Sequence, residues 1–267
     1  MWKLFVIVCS LLLLGCKGPK PKPLNDVKNQ NISINFTVDY RPSSYPLSAP
    51  YSSLAIRLYI NDKKGSHIQI GASEEMRAYL NGREYLLESV YCSSLYSPQY
   101  FCGYKFPYIS DEQVANLVQP LTIALEIRRS KGQLITATAS LPQFFTMMSS
   151  IPAEKKYDPL TDVLQITWMS TVPVKQIEYF AGQYTNSSCS GSILKTPQVS
   201  YTYIQYNANE IGLDTNFCRT MSYASVAVDT VESVTAMQTN VPLAAANITL
   251  NQRVLLQLLS EPYEGAE

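Results

Sequence analysis

The chain has 267 residues, with 21 basic and 21 acidic side chains, so its formal net charge at neutral pH is zero. Nucleic acid is excluded as a partner, because there is no excess of positive charge to bind a phosphate backbone. His67 is the single histidine, and no phosphate-binding loop, nucleophile elbow or zinc-protease motif occurs in the sequence. The sequence therefore predicts a protein without enzymatic activity and without a bound cofactor or metal.

The N-terminus has the pattern of an export signal. Lys3 gives a positively charged start, and residues 4–14 form an apolar run interrupted by Cys9 and Ser10. At about 1.5 Å per residue, this run covers roughly half of a ~30 Å hydrocarbon core. It is therefore too short for a transmembrane helix and fits the hydrophobic region of a signal peptide.

The run Leu13-Leu14-Gly15-Cys16 resembles the lipobox of bacterial lipoproteins. The resemblance implies that residues 1–15 are removed and that Cys16 is acylated, with palmitate among the acyl chains, so that the mature chain is anchored to a membrane of the cell envelope. Lys17 stands where inner-membrane lipoproteins of enteric-type bacteria often carry aspartate, which favours the outer membrane. The alternative is an ordinary secretory signal with an incidental cysteine.

Residues 16–30 are predicted to be the lipid anchor and an extended tether. Prolines at positions 19, 21 and 23 hold the backbone extended, so residues 17–30 could reach about 40 Å at ~3.1 Å per residue. Four lysines lie in this segment: Lys17, Lys20, Lys22 and Lys28. They either contact anionic head groups or only keep the spacer soluble.

Residues 31–142 are predicted to form a first β-sandwich domain. Alternating apolar and polar residues indicate half-buried strands over 31–40, 54–60, 121–128 and 134–141. Asn81-Gly82 favours a tight hairpin turn, because both turn positions need positive φ, and residues 83–91 are predicted as the returning strand.

One short helix is predicted in this domain, over residues 110–118. Ser110 and Gln113 have the spacing of a capping box, and Val114 and Leu117 lie three residues apart on one face. The helix departs from the strand pattern on both sides of it.

Residues 143–262 are predicted to form a second domain, followed by a tail at 263–267. Its strands are expected at 163–168, 174–180, 199–206, 218–228 and 248–258. The sequence Ile166-Thr167-Trp168, a polar turn with Pro173 and then Ile177-Glu178-Tyr179 resemble the first core hairpin of fibronectin type III or immunoglobulin-like modules. This resemblance implies an all-β chain of two tandem β-sandwich domains; the strand count by itself fits a sandwich or a small barrel.

Apart from Cys9 and Cys16, the chain has four cysteines: Cys92, Cys102, Cys189 and Cys218. An oxidising envelope favours two disulfides, and of the three connectivities proximity favours Cys92–Cys102 and Cys189–Cys218. Zinc is disfavoured because no two of these cysteines have the short spacing of zinc ligands. Asp158 and Asp162 could contribute to a calcium site, but no further ligand stands at a readable spacing.

Aromatic residues are concentrated between positions 91 and 108, and Cys92 and Cys102 close the middle of this stretch into a small loop. Tyrosines in a pre-ordered loop offer a large contact area at little entropic cost. The predicted binding residues are Tyr96, Tyr100, Phe101 and Tyr104. The alternative is that these rings cover the end of the sandwich and the disulfide replaces missing core.

These features predict a non-catalytic envelope lipoprotein that binds or scaffolds another envelope or extracellular component, a protein or a glycan, through its β-sandwich loops. Two alternatives stay open. One is a hydrolase of cell-wall or exported substrates with a Ser-Lys site, which needs no histidine. The other is a carbohydrate-binding module without hydrolytic activity.

Overall fold

The computed structural model describes residues 20–42, 54–94, 97–150, 163–169, 172–182, 191–195, 203–206 and 223–259. Regular structure in these residues is almost entirely β-strand, with one short helix, α1 (Asp111–Ala115), and two 3₁₀ turns at Leu24–Asp26 and Asn29–Asn31. The predicted all-β class is therefore confirmed. The signal segment, Cys16, Asp158, Asp162, Cys189, Cys218 and the tail at 263–267 lie outside the described residues.

The described strands are numbered in chain order. Those before residue 142 are β1 (Lys22–Pro23), β2 (Ile32–Tyr40), β3 (Leu54–Asp62), β4 (Ile68–Gln69), β5 (Glu75–Leu80), β6 (Arg83–Tyr85), β7 (Glu88–Ser94), β8 (Ser97–Lys105), β9 (Thr122–Arg128) and β10 (Leu134–Ser140). Those after it are β11 (Thr146–Ser149), β12 (Leu164–Met169), β13 (Val174–Gly182), β14 (Gly191–Lys195), β15 (Tyr203–Tyr206), β16 (Tyr223–Thr230), β17 (Ser233–Ala236), β18 (Gln238–Thr239) and β19 (Ala245–Leu259).

Two sheets enclose the hydrophobic core of an N-terminal lobe, which consists of β1–β10, α1, β17, β18 and the first half of β19. The smaller sheet has the order β18-β10-β9-β5-β6, and the larger contains the order β19-β2-β3-β8-β7. A single cluster of buried side chains includes Phe36 and Leu58 from the larger sheet and Leu125 from the smaller. In each case alternate residues of the strand point inward, which is the period of two that the sequence displays.

A C-terminal lobe consists of β11–β16 and the second half of β19. β13, β14 and β16 extend the larger sheet, whereas β11, β12 and β15 form a separate three-stranded sheet. Buried residues of this lobe include Leu164, Ile166, Trp168, Ile177, Val226 and Val228. The predicted hairpin of β12 with β13 is wrong, because these consecutive strands belong to different sheets.

Strand β19 is shared by the two lobes. Residues 245–252 pair in parallel with β2, so that Ala245 lies opposite Ser33 and Gln252 opposite Tyr40. From Arg253 onwards the strand pairs with β16 in antiparallel fashion. Its 15 residues span roughly 50 Å at 3.3 Å per residue, so one continuous strand connects the lobes.

The end of the chain also completes the N-terminal core. The sequence alone assigns residues 233–252 to the second domain, but β18 pairs with β10, and Met237, Ile248 and Leu250 lie in the N-terminal cluster. The predicted boundary at residue 142 therefore divides the chain differently from the structure. Local alternation identifies a strand but does not say which distant strand it pairs with.

Residues 22–31 are docked on the N-terminal lobe, so the predicted extended tether through residue 30 is wrong for this part. Lys22 pairs with Ile68 in a short parallel ladder between β1 and β4. Leu24 is fully buried, and Val27 is 7% exposed. Burial of these two apolar side chains offsets the entropy that an extended, proline-rich segment loses on docking.

Arg129 holds the docked segment from the β9–β10 turn. Its guanidinium donates hydrogen bonds to the carbonyl oxygens of Leu24 and Val27, at 2.7 and 2.8 Å, and to Asn29 Oδ1 at 2.6 Å. The planar guanidinium can satisfy three acceptors at once, which an ammonium group on a flexible stem does less well.

Asp62 is the second attachment point, at the end of β3. Its side chain is 7% exposed and forms an ion pair with the Lys22 ammonium. The backbone N–H groups of Lys64 and Ser66 also donate to Asp62 Oδ1, at 2.8 and 2.9 Å. The hydrogen bond from Lys22 and these backbone donors hold the pKa of Asp62 below its usual value, although burial acts in the opposite direction.

Residues 83–91 do not form the one strand that the sequence predicts. β6 belongs to the smaller sheet and β7 to the larger, and the chain crosses between the sheets at Leu86-Leu87. Two adjacent apolar residues cannot both face one core from a single strand, because neighbouring side chains point to opposite faces. Leu86 is accordingly 85% exposed.

Candidate functional site

Two regions of the N-terminal lobe carry candidate functional residues. The first, called the basic end, comprises the docked segment 22–31, the turns at 62–65 and 129–132, and the β7–β8 hairpin. The second, called the groove end, comprises the turn at Asn81-Gly82, the strand β6 and residues 108–118. The β9 strand joins them, since Arg128 adjoins the 129–132 turn and Thr122 contacts Asn81.

The β7–β8 hairpin is closed by the Cys92–Cys102 disulfide, whose Cα atoms are 5.7 Å apart. This is the pairing that proximity in the sequence favours; the pairing of Cys189 with Cys218 stays a prediction. The hairpin lies beside the docked segment, because the rings of Phe101 and His67 have centroids 6.4 Å apart and the His67 carbonyl accepts a 2.8 Å hydrogen bond from the backbone N–H of Lys22.

Two of the four predicted binding residues are packed in the core. Phe101 is 4% and Tyr104 6% exposed, and the Tyr104 hydroxyl accepts a 2.7 Å hydrogen bond from the backbone N–H of Ile70. Burial raises the pKa of Tyr104 to about 12. Both rings therefore stabilise the fold, which corrects their assignment as contact residues. Tyr96 and the side chain of Tyr100 lie outside the described part of the chain, and their role stays a prediction.

Tyr91 is the aromatic side chain of this hairpin that the structure places at the surface. It is 54% exposed, and its ring centroid lies 6.1 Å from that of Phe101. His67, in contrast, is part of the sheet: it faces Asn61 across an isolated antiparallel bridge, and its Nδ1 and the Asn61 Oδ1 are buried without a hydrogen-bond partner. The structure thus gives His67 a packing environment at the basic end.

A groove of about 660 Å³ lies at the groove end. Residues that give it chemical character are Arg83, Tyr85, Glu112, Asn116, Leu117 and Val118. It is bounded on one side by the β5–β6 turn and β6, and on the other by α1 and the chain that follows it.

Asn81 fixes the first wall of the groove. It adopts φ of +48°, and Gly82 follows with +78°, as the predicted tight turn requires. The Asn81 Nδ2 donates to the Val118 carbonyl at 2.8 Å, and its Oδ1 accepts from the Thr122 backbone N–H at 2.8 Å. One side chain therefore ties the hairpin turn to the segment between α1 and β9.

Helix α1 forms the second wall, and its start is the predicted capping box. Ser110 Oγ accepts from the Gln113 backbone N–H at 3.2 Å, and Gln113 Oε1 accepts from the Ser110 backbone N–H at 2.9 Å. The helix ends at Ala115, earlier than the predicted residue 118. The residues after it run along the groove instead.

Val118 exposes apolar surface in the groove beside the cation of Arg83, and two further apolar side chains are exposed close to groove residues in the sequence. Val118 is 74% exposed; Leu86, which follows the groove residue Tyr85, is 85% exposed; Tyr108, two residues before Ser110, is 56% exposed. The Arg83 guanidinium lies 5.3 Å from the centroid of the Tyr85 ring. Arg83 has no carboxylate partner among the residues that the structure describes.

Sequence reasoning did not identify these groove residues. A signal was present at Leu86-Leu87, where two adjacent apolar residues interrupt the alternation and one of them must face solvent. The spacing of Val114 and Leu117 predicts a helix that extends to Val118, but the helix ends at Ala115. Neither signal indicates that Val118 lines a groove together with Arg83 and Tyr85.

Within the described ranges, no group of three or more histidine, cysteine, aspartate or glutamate side chains is placed to hold a metal ion. Over the same part of the chain, no helix has the length and apolar character needed to cross a bilayer. The chain matches no protein-family model and no curated protein.

Proposed function

We propose that this protein is a non-catalytic lipoprotein of the bacterial cell envelope that binds another envelope protein through the groove end. Acylation at Cys16 would supply the anchor, and Lys17 favours the outer membrane. The observation that carries the binding role is the groove itself, in which exposed Val118 lines the same surface as Arg83, a cation without a carboxylate partner among the described residues.

The composition of this surface favours a protein partner over a glycan. Single exposed apolar side chains are ordinary, but Tyr108 and Val118 both belong to the groove end. Tyrosine and arginine side chains around a concave surface are typical of protein interfaces, where an apolar anchor fills a pocket and a charge fixes its orientation. A partner that supplies an apolar side chain and a carboxylate would complement Val118 and Arg83.

The walls of the groove are suited to binding because they are already ordered. Asn81 bonds both the Val118 carbonyl and the Thr122 backbone N–H, and the capping box fixes the start of α1. A pre-ordered surface loses little conformational entropy when it binds.

The test is photo-crosslinking in the native cell from position 118, with position 163 as the matched control. Val163 is 49% exposed on the C-terminal lobe, so both sites accept the probe without disturbing the core. We expect one recurrent adduct from position 118, absent from position 163 and reduced at least tenfold by Arg83→Glu, a loss of about 1.4 kcal/mol or more in binding. Lys175→Glu, on the exposed surface of β13, should leave it unchanged.

Two results would contradict the proposal. Equal adducts from positions 118 and 163, or none from either, would show that the groove end is not an interface. Covalent labelling of a serine by a hydrolase-directed probe would instead support the Ser-Lys alternative, and retention on glycans that is lost in Arg83→Glu would support the carbohydrate-binding alternative.

A further inference from the structure

The basic end is where the folded lobe meets the chain that leads back to Cys16. Lys22 is held by its backbone bond to the His67 carbonyl and by Asp62. Lys22 is six positions after Cys16, and a fully extended chain of that length reaches at most about 22 Å. If Cys16 is anchored, the docked segment therefore confines the basic end to the vicinity of the membrane.

Positive charge is concentrated at this end, although the chain as a whole is neutral. Apart from Lys105, which is paired with Glu88 in the β7–β8 hairpin, its lysines are Lys20, Lys22, Lys28, Lys63, Lys64 and Lys131. All except Lys22 are exposed. They come from three separate parts of the chain, which the docked segment brings together through Asp62 and Arg129.

The carboxylates near these lysines are mostly engaged. Asp62 is buried and paired with Lys22, Glu75 is paired with Arg77 and Arg128, and Glu74 accepts a hydrogen bond from the backbone N–H of Gly71. Asp26 is an exposed carboxylate of the docked segment. The surface thus offers an excess of exposed cations.

Tyr91 adds an interfacial aromatic to this surface. Its exposed ring contacts Phe101, which in turn contacts His67 of the same end. Tyrosine together with lysine is the combination that suits the head-group region of a bilayer, where the ring is partly buried and the ammonium group meets lipid phosphate.

We propose that the basic end lies flat on an anionic phospholipid surface, with Lys63, Lys64 and Lys131 at the head groups and Tyr91 at the interface. The inference rests on the proposed anchoring at Cys16. It assigns the molecule an orientation: the groove end, separated from the basic end by the seven residues of β9 or roughly 23 Å, points away from the bilayer. The C-terminal lobe joins the N-terminal lobe where β2 ends at Tyr40, also the end away from Asp62.

The test is chemical modification of lysine side chains. It uses the mature chain, lipidated at Cys16 and reconstituted in vesicles of phosphatidylcholine with or without phosphatidylglycerol. On anionic vesicles we expect Lys63, Lys64 and Lys131 to be labelled about fivefold more slowly than on neutral vesicles, and the difference to vanish in high salt. Lys175, exposed on β13 of the C-terminal lobe, is the internal control and should be labelled equally on both.

A charge-reversal variant separates orientation from anchoring. Lys63→Glu with Lys64→Glu changes two exposed side chains and keeps the backbone bond from position 64 to Asp62. This variant should stay on the vesicles, but its Lys131 should no longer be labelled more slowly on anionic vesicles. The control variant Lys175→Glu should keep the slower labelling of Lys131. Equal labelling of vesicle-bound wild-type protein on both lipid compositions would overturn the orientation alone. Failure of the chain to float with either vesicle would overturn the anchoring and the orientation with it.

Discussion

The basic end and the groove end of the N-terminal lobe differ in how their polar groups are used. At the basic end, Asp62 and Arg129 satisfy main-chain groups and Lys22, so the remaining lysines are free to face outward. At the groove end, Asn81 and the Ser110–Gln113 box satisfy the turn and the helix, and the side chains of Tyr108 and Val118 are left exposed. One neutral chain thereby presents a charged surface at one end and an apolar one at the other.

The contacts also differ in their reach along the chain. Arg129 bonds residues up to 105 positions away, and the Lys22–Asp62 pair spans 40. At the groove end the capping box spans three residues, whereas Asn81 reaches Thr122, 41 positions away. Because Arg129 alone makes three charge-assisted hydrogen bonds, we expect its removal to have the largest effect on stability.

The largest effect should come from Arg129→Ala. We expect a loss of about 4 kcal/mol in the free energy of unfolding, because three charge-assisted hydrogen bonds disappear and two main-chain carbonyls lose their donor. Urea denaturation measures the loss, and limited proteolysis should cut the released segment near residue 25. The neighbouring Arg128→Ala is the control: its side chain is 59% exposed, so it should cost less than about 1 kcal/mol. Similar losses for both variants would show that the bonds from Arg129 to the docked segment do not account for the loss.

An intermediate effect is expected at the groove end from Asn81→Ala. The substitution removes two side-chain hydrogen bonds, worth about 1 kcal/mol each, and replaces asparagine, which tolerates positive φ, by alanine, which does not, for about 1 kcal/mol more. Thermal unfolding should therefore report a loss of about 3 kcal/mol in the free energy of unfolding. Asn81→Gly retains access to positive φ and should recover roughly a third of that loss; no difference between alanine and glycine would mean that backbone conformation contributes nothing here.

Asp62→Asn should have the smallest effect at neutral pH, about 2 kcal/mol, because asparagine can still accept from the Lys64 and Ser66 amides. Its signature is the pH dependence. The pKa of Asp62 is lowered in the folded protein, so its stabilisation is present above the ordinary value of 3.8 and is lost as the pH falls through the lower folded value. The free energy of unfolding, measured from neutral pH to strong acid, should therefore change less with pH in Asp62→Asn than in the wild type. Asp26→Asn, at an exposed site, should follow the wild-type curve.

Features that depend on neighbouring residues were predictable from the sequence. The alternation in β2 placed Ile32, Ile34, Phe36 and Val38 on one face, and all are fully buried. Asn81-Gly82 adopts the turn that it favours, and Ser110 and Gln113 form both bonds of the capping box. In these places the period and the residue type are sufficient.

Features that depend on distant residues were not predictable. The prolines before Leu24 indicate an extended chain, and the chain is extended there, but nothing local indicates that Arg129 would bind it. The spacing of aromatic residues in the β7–β8 hairpin does not reveal that Tyr104 faces inward to bond Ile70. The groove requires another such distant placement, of Val118 beside Arg83 and Tyr85, and so it is apparent only from the fold.

The shared strand β19 has a consequence for the order in which the protein can be completed. Asp39 and Asn251, which face each other on β2 and β19, are 212 positions apart in the chain. As synthesis or vectorial transport delivers the chain from its N-terminus, one edge of β2 stays without its partner until residues 245–252 arrive. The N-terminal lobe, first to emerge, is thus among the last parts to close, and a ribosome or translocation channel would pass almost the whole chain before its core is sealed.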